Sequence, residues 1–93
     1  MIIGLVEARI SIPEARSLKD KRQVLRSMKD RALNKMNISV AEVGDQDQWR
    51  FAQMAFVTVA ATSQVVQSRI SDITQFLRSD PRYVLIDVHT EML

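Results

Sequence analysis

Residues 17–36, SLKDKRQVLRSMKDRALNKM, decide the fold, because they define one helix with a core-facing stripe and set the period against which the flanking segments are read. Ser17, followed three residues later by Asp20, is a helix-start signature: the hydroxyl accepts from a free backbone N–H and the carboxylate sits in the positive first turn. Leu18, Leu25, Met28, Ala32 and Met36 then recur at helical spacing, with Val24 widening the stripe. Asn34 and Asn37 mark the end of the helix.

The same stretch concentrates charge. Between Arg16 and Lys35 eight basic residues stand against two acidic ones, giving +6, while the remaining five basic and nine acidic residues carry −4. The overall +2 therefore conceals a polarised chain. Lys19, Arg22, Arg26 and Lys29 step by three, four and three, so they form a ridge beside the apolar stripe. A phosphate backbone can follow such a ridge, and helix solubility calls for the same residue types. Lys21 falls toward the apolar sector, where its stem is expected to pack while its ammonium reaches water.

Outward from the helix the pattern changes to a period of two. Ile2, Gly4, Val6, Ala8, Ile10 and Ile12 share one side of a first strand, Ile3, Leu5, Glu7, Arg9 and Ser11 the other, and Pro13 ends it. Residues 38–43 read as a short second strand, and Gly44-Asp45-Gln46-Asp47-Gln48 as a polar hairpin loop before Trp49. Residues 51–60 are apolar on both alternating sets, which predicts a central strand buried on both faces. Ser63 is the expected cap of a second helix carrying Val66, Ile70, Ile73 and Leu77, stopped by Asp80-Pro81. Residues 83–91 alternate again as a last strand.

The order strand, helix, strand, strand, helix, strand predicts one α+β domain over residues 1–93: a ferredoxin-like βαββαβ sandwich, with a four-stranded antiparallel sheet and two helices on one face. With both helices on one side, Ile3, Leu5, Ala55, Val57 and Val59 lack cover within the chain, so a second copy is expected against them in a homodimer.

Several chemistries are absent. There is no cysteine, hence no disulfide or thiolate metal site, and the sole histidine, His89, has no convincing serine or second base with it for a triad. Glycine occurs only at Gly4 and Gly44, too few for a phosphate-cradling loop. Asp45 and Asp47 begin no calcium-loop pattern and read as a polar turn. No apolar run spans a bilayer, and Glu7 and Arg9 interrupt the N-terminal stretch before a signal-peptide core can form, so a cytoplasmic protein without membrane contact is expected. The RNA-recognition motif shares this element order, but residues 50–57, RFAQMAFV, lack its glycine and aromatic phasing, and the first strand has no aromatic. RNA, if it is the partner, is expected on the basic helix through phosphates.

Ser17-Leu18-Lys19-Asp20-Lys21-Arg22, residues 37–43 (NISVAEV) and Gln46-Asp47-Gln48-Trp49 together resemble the recurrent segments of the YlxP-like family, small bacterial proteins of unknown function. The resemblance spans nearly the whole chain. It implies a ferredoxin-like α+β fold, a cytoplasmic bacterial protein, no transferable catalytic residue and, from genes commonly neighbouring those of transcription termination, translation initiation and ribosome maturation, a link to RNA or ribosomes. Its motif positions here are Lys19, Lys21, Arg22, Glu42, Asp47 and Trp49. Each has a structural role to offer as well: Glu42 pairing with a base, Asp47 capping the hairpin, Trp49 anchoring it by burial. The leading expectation is a non-enzymatic protein, without cofactor or metal, that binds ribosomal or structured RNA through Lys19, Lys21, Arg22, Arg26 and Lys29. The alternatives are a homodimeric assembly module using the open sheet face and a small-molecule-binding regulatory domain.

Overall fold

A computed structural model describes residues 1–93. Its elements are β1 (Ile2–Ser11), α1 (Leu18–Lys35), β2 (Ser39–Gly44), β3 (Phe51–Ala60), α2 (Ser63–Leu77) and β4 (Val84–Met92). The strands form one antiparallel sheet in the order β2-β3-β1-β4, and both helices lie on one face, which is the ferredoxin-like α+β arrangement. No helix is long and apolar enough to cross a membrane.

The two alternating residue sets of each strand part as the pattern requires. Val6, Ala8 and Ile10 of β1, Val40 of β2 and Ala52, Met54 and Phe56 of β3 point at the helices and are buried against Leu25, Met28 and Ala32 of α1 and Ile73, Phe76 and Leu77 of α2. Gly4 lies on this face, where a Cβ would come within 2.6 Å of Val66 Cγ1, so its lack of a side chain admits α2 close to β1.

The opposite face has no covering layer. On it Leu5 stands across from Val57 and Ile3 from Val59, while β4 contributes Asp87, His89 and Glu91 opposite Arg9, Glu7 and Leu5. β3 is an interior strand, yet Val57 and Val59 remain exposed, so the expectation of burial on both faces fails there. Two bulges disturb the edges: Ile86 is the extra residue in β4 and Val43 the extra residue in β2.

Local chemistry sets the element ends. Ser17 Oγ accepts from the Asp20 N–H at 3.1 Å, and Asp20 Oδ2 accepts from the Arg16 N–H at 3.0 Å, closing both sides of the α1 entry. For α2 the cap is Thr62, one residue before the expected Ser63: its extended backbone lets Oγ1 accept from the Val65 N–H, and Ser63 is already helical. α2 ends at Leu77, short of Asp80-Pro81. The hairpin's left-handed residue is Asp45, with φ 58°, while Gly44 stays extended and closes β2.

Candidate functional site

The cations of α1 divide by direction. Leu25, Met28 and Ala32 face the sheet, and the flank toward α2 is occupied, since Arg31 pairs with Asp80 and Ser27 Oγ accepts from Arg82 Nη2 at 3.0 Å. The ridge is on the other flank, away from α2. Lys19, Arg22, Arg26 and Lys29 are all exposed along it, and none forms an ion pair or a side-chain hydrogen bond. The spacing in the sequence thus corresponds to a file of free charges about 15 Å long at 1.5 Å rise per residue.

Lys21 does not belong to that file. Its side chain is 1% exposed, and its Nζ donates to the carbonyls of Asp45 and Gln48 at 2.7 Å each and lies 2.7 Å from Glu42 Oε2. Two carbonyls accept from the ammonium, and the Glu42 carboxylate beside it balances its charge. The expectation that this ammonium reaches water is overturned, and Lys21 is removed from the nucleic-acid set: it fastens the β2–β3 hairpin to the first turn of α1. Glu42 pairs with a basic residue as expected, and that residue is Lys21.

The hairpin is fixed on its other side too. Arg9 Nε donates to Asp45 Oδ2 at 3.1 Å while the Arg9 guanidinium stacks on Phe51, 4.6 Å from the ring centre. The Arg50 carbonyl accepts from the Ile12 N–H at 2.7 Å, and Arg50 Nε donates to the Ala15 carbonyl at 3.2 Å. Asp47 is exposed and its side chain makes no hydrogen bond, so it does not cap the hairpin. Trp49 is 51% exposed, so it does not anchor the hairpin by burial either. No group of His, Asp and Glu side chains is arranged to hold a metal ion, and Asp45 is spent on Arg9.

A second charge cluster, built on the buried Asp80 and absent from the sequence reading, closes the far end of α1. Asp80 accepts from Arg82 and Arg31, with Arg82 Nη2 at 2.6 Å, and Arg31 also lies over Phe76, 5.4 Å from the ring centre. The Arg82 side-chain bonds dominate over the opposing effect of burial and lower the Asp80 pKa from 3.8 to about 2. The same contact raises the Arg82 pKa, and burial raises that of Tyr83 beside them. The signal in the sequence was Arg31 itself, which lies off the ridge on the flank that must meet α2.

The proposed interface residues on the sheet do come together. Ile3, Leu5, Ala55, Val57 and Val59 share the open face, with Leu5 and Val57 as cross-strand partners. Beside them Glu7, Arg9, Asp87 and His89 make the other half of that face polar, and His89 Nε2 lies 3.8 Å from Glu91 Oε2.

Comparison with known proteins places the chain in a family. The chain is 31% identical over 90 residues to the uncharacterized protein YlxP of Bacillus subtilis (strain 168), covering 97% of this chain and 98% of that protein. The family described as "Protein of unknown function (DUF503)" matches residues 3–90. By this match over nearly its whole length, the chain belongs to the DUF503 family.

Proposed function

We propose that the protein is a non-enzymatic cytoplasmic RNA-binding protein that meets the phosphate backbone of ribosomal or other structured RNA through the outer flank of α1. One observation carries the reading: within a single helix Lys21 and Arg31 are paired internally, whereas Lys19, Arg22, Arg26 and Lys29 stand exposed in one file without a carboxylate partner. Free cations at 4.5–6 Å steps suit a phosphate backbone, and contacts of this kind position a ligand without reading its bases. Lys21 serves by holding the hairpin against the start of that file.

Binding of the purified protein to ribosomal subunits and total RNA, followed as salt is raised, tests the proposal. About four phosphate contacts give a slope near −3 in log affinity against log salt. The Lys19→Glu, Arg22→Glu, Arg26→Glu, Lys29→Glu variant is expected to fold and to lose binding. A folded wild type that binds none of these RNAs at low salt would sink the reading.

A second reading rests on the open face, where Val57 and Val59 are 38% and 50% exposed beside Ile3, Leu5 and Ala55. There the protein is a homodimeric assembly module. Light scattering on wild type and Val57→Glu decides it: a dimer reduced to monomer supports the module, and a monomeric wild type removes it.

A further inference from the structure

The sheet order β2-β3-β1-β4 leaves its two outer strands with one neighbour each. A strand in that position offers a second chain a row of backbone groups, and its length and regularity decide whether the offer can be taken. β2 is a poor edge: it has six residues, and the Val43 bulge breaks its ladder before Gly44. β4 has nine, and its bulge at Ile86 lies near the start, so Asp87 to Leu93 run on as one regular stretch beside β1. Val84, Ile86, Met92 and Leu93 leave apolar side chains exposed along it.

The ladder with β1 fixes which groups of β4 face outward. The Ile3 N–H donates to the Leu93 carbonyl at 3.0 Å and the Leu93 N–H to the Ile3 carbonyl at 2.7 Å, so these residues form a hydrogen-bonded pair. Alternation then turns the backbones of Glu91, His89 and Asp87 toward β1, and those of Met92, Thr90 and Val88 away from it. The Val88 N–H accords with this, since it donates at 3.0 Å to the Asp87 carboxylate of its own strand.

Side chains choose among the registers in which β4 can pair with itself. When a two-fold axis relates two antiparallel strands and opposed residues share a face, the axis passes through one residue, which meets its own copy. Centred on His89, the pairing opposes Asp87 and Glu91 twice, and centred on Glu91 it opposes that carboxylate to itself. Centred on Val88, it runs into the bulge at Ile86. Centred on Thr90, it uses the whole regular stretch, residues 87–93, and opposes no like charges. Each His89 then faces Glu91 of the second copy on the open side, and Val88 faces Met92 on the helix side.

We infer that the protein forms a two-fold dimer through the outer edge of β4, centred on Thr90, in which two four-stranded sheets join into one of eight strands. Thr90 exchanges backbone bonds with its own copy, and Val88 and Met92 exchange them across the axis, the Val88 N–H leaving Asp87 for the Met92 carbonyl. This contact uses neither the ridge of α1 nor the apolar residues of the open face, so it is tested apart from both readings above.

Light scattering of the intact wild type over a concentration series is expected to show a dimer. Thr90→Pro removes the central outward N–H without touching the β1 ladder, and an edge strand tolerates proline at such a position. The variant should therefore keep its circular dichroism and be monomeric where wild type is dimeric, whereas Val57→Glu on the open face should leave the dimer intact. Because the chain has no cysteine, Thr90→Cys places one thiol per copy on the axis, with Cα atoms roughly 5.5 Å apart, within reach of a disulfide. Mild oxidation should cross-link it and should not cross-link Met92→Cys, which lies off the axis. His89→Lys should tighten the dimer at low salt through Glu91 of the second copy; in the register centred on residue 89 it would loosen it. A monomeric wild type overturns the inference. A dimer lost in Val57→Glu and kept in Thr90→Pro also overturns it and assigns the contact to the open face. Should proline unfold β4, the thiols decide: no disulfide from Thr90→Cys, or equal yields from both cysteine variants, would sink the pairing.

Discussion

Lys21 and Arg22 are adjacent in the chain and opposite in fate. The first is enclosed by the hairpin, bonded to two carbonyls and paired with a carboxylate, while the second stands in water without a partner. A step of 100° around the helix separates a tertiary fastening from a free charge. The apolar stripe of α1 begins over the β2–β3 loop, and what that loop offers to a side chain from above is carbonyl oxygen. A compact ammonium on an apolar stem suits such a place, whereas a planar guanidinium with five donors does not. The charge density of a basic helix thus overstates what a ligand can reach: in α1 two cations are consumed by Glu42 and Asp80, and the ridge, with Lys35 apart from it, is what the fold leaves unused.

Removing the Lys21 charge gives the largest expected effect. Lys21→Met keeps the stem's bulk but leaves two carbonyls and the Glu42 carboxylate without their partner, for a loss of about 3 kcal/mol, toward the low end for a broken buried pair because Glu42 is partly solvated. The check is a denaturant midpoint that moves down with the slope unchanged. Adding Glu42→Leu should recover part of the loss, since the stranded carboxylate is then gone. A Lys21→Met protein as stable as wild type would erase the distinction between the two neighbours.

Asp80 offers a milder version of the same device. Its carboxylate is buried, but Arg31 and Arg82 are 41% and 44% exposed and rehydrate when released, so Asp80→Asn is expected to cost about 2 kcal/mol. The pH dependence has a definite sign. The folded-state pKa lies near 2, below the ordinary 3.8, so the stabilisation is fully present above about pH 5 and fades as pH falls through 4 toward 2. Thermal melts of wild type should decline over that window, and those of Asp80→Asn should decline less. Parallel curves would show that Asp80 gains nothing from its arginines.

The periods of two and 3.6 made most of this fold legible. The even-numbered residues of β1 and the Leu25, Met28, Ala32 stripe are determined by local geometry, and so is the ridge, because residues three and four apart on a helix must be neighbours. What escaped depends on groups far along the chain. The position of Lys21 at the edge of the stripe was visible, but the acceptors that remove it from water are 21 to 27 residues away. Arg31 and Asp80 are 49 residues apart, and no local pattern joins them. Trp49 was misjudged for a related reason: indole favours burial in general, and the hairpin's anchorage through its backbone and Lys21 leaves the ring no such duty. At the start of α2, Thr62 and Ser63 carry equivalent hydroxyls, and only the backbone turn chooses between them.

The smallest expected effect tests the free side of the comparison. Lys19 faces Arg22, Arg22 faces Arg26 and Arg26 faces Lys29 at helical spacing, and each like-charged pair costs a few tenths of a kcal/mol. Lys19 also sits in the first turn, where the helix dipole disfavours a cation. Glutamine has nearly the same helix propensity and no charge. Changing all four to Gln is therefore expected to raise stability by about 1 kcal/mol at low ionic strength, a gain that should shrink as salt screens the repulsion. Melting both proteins at low and high salt reads the difference. A ridge that stabilised the fold would point to partners within the chain and make its charges structural, like that of Lys21. A ridge that strains the folded helix, and whose removal relieves it, leaves its four charges with no folding role, and their use must then be sought in what binds there.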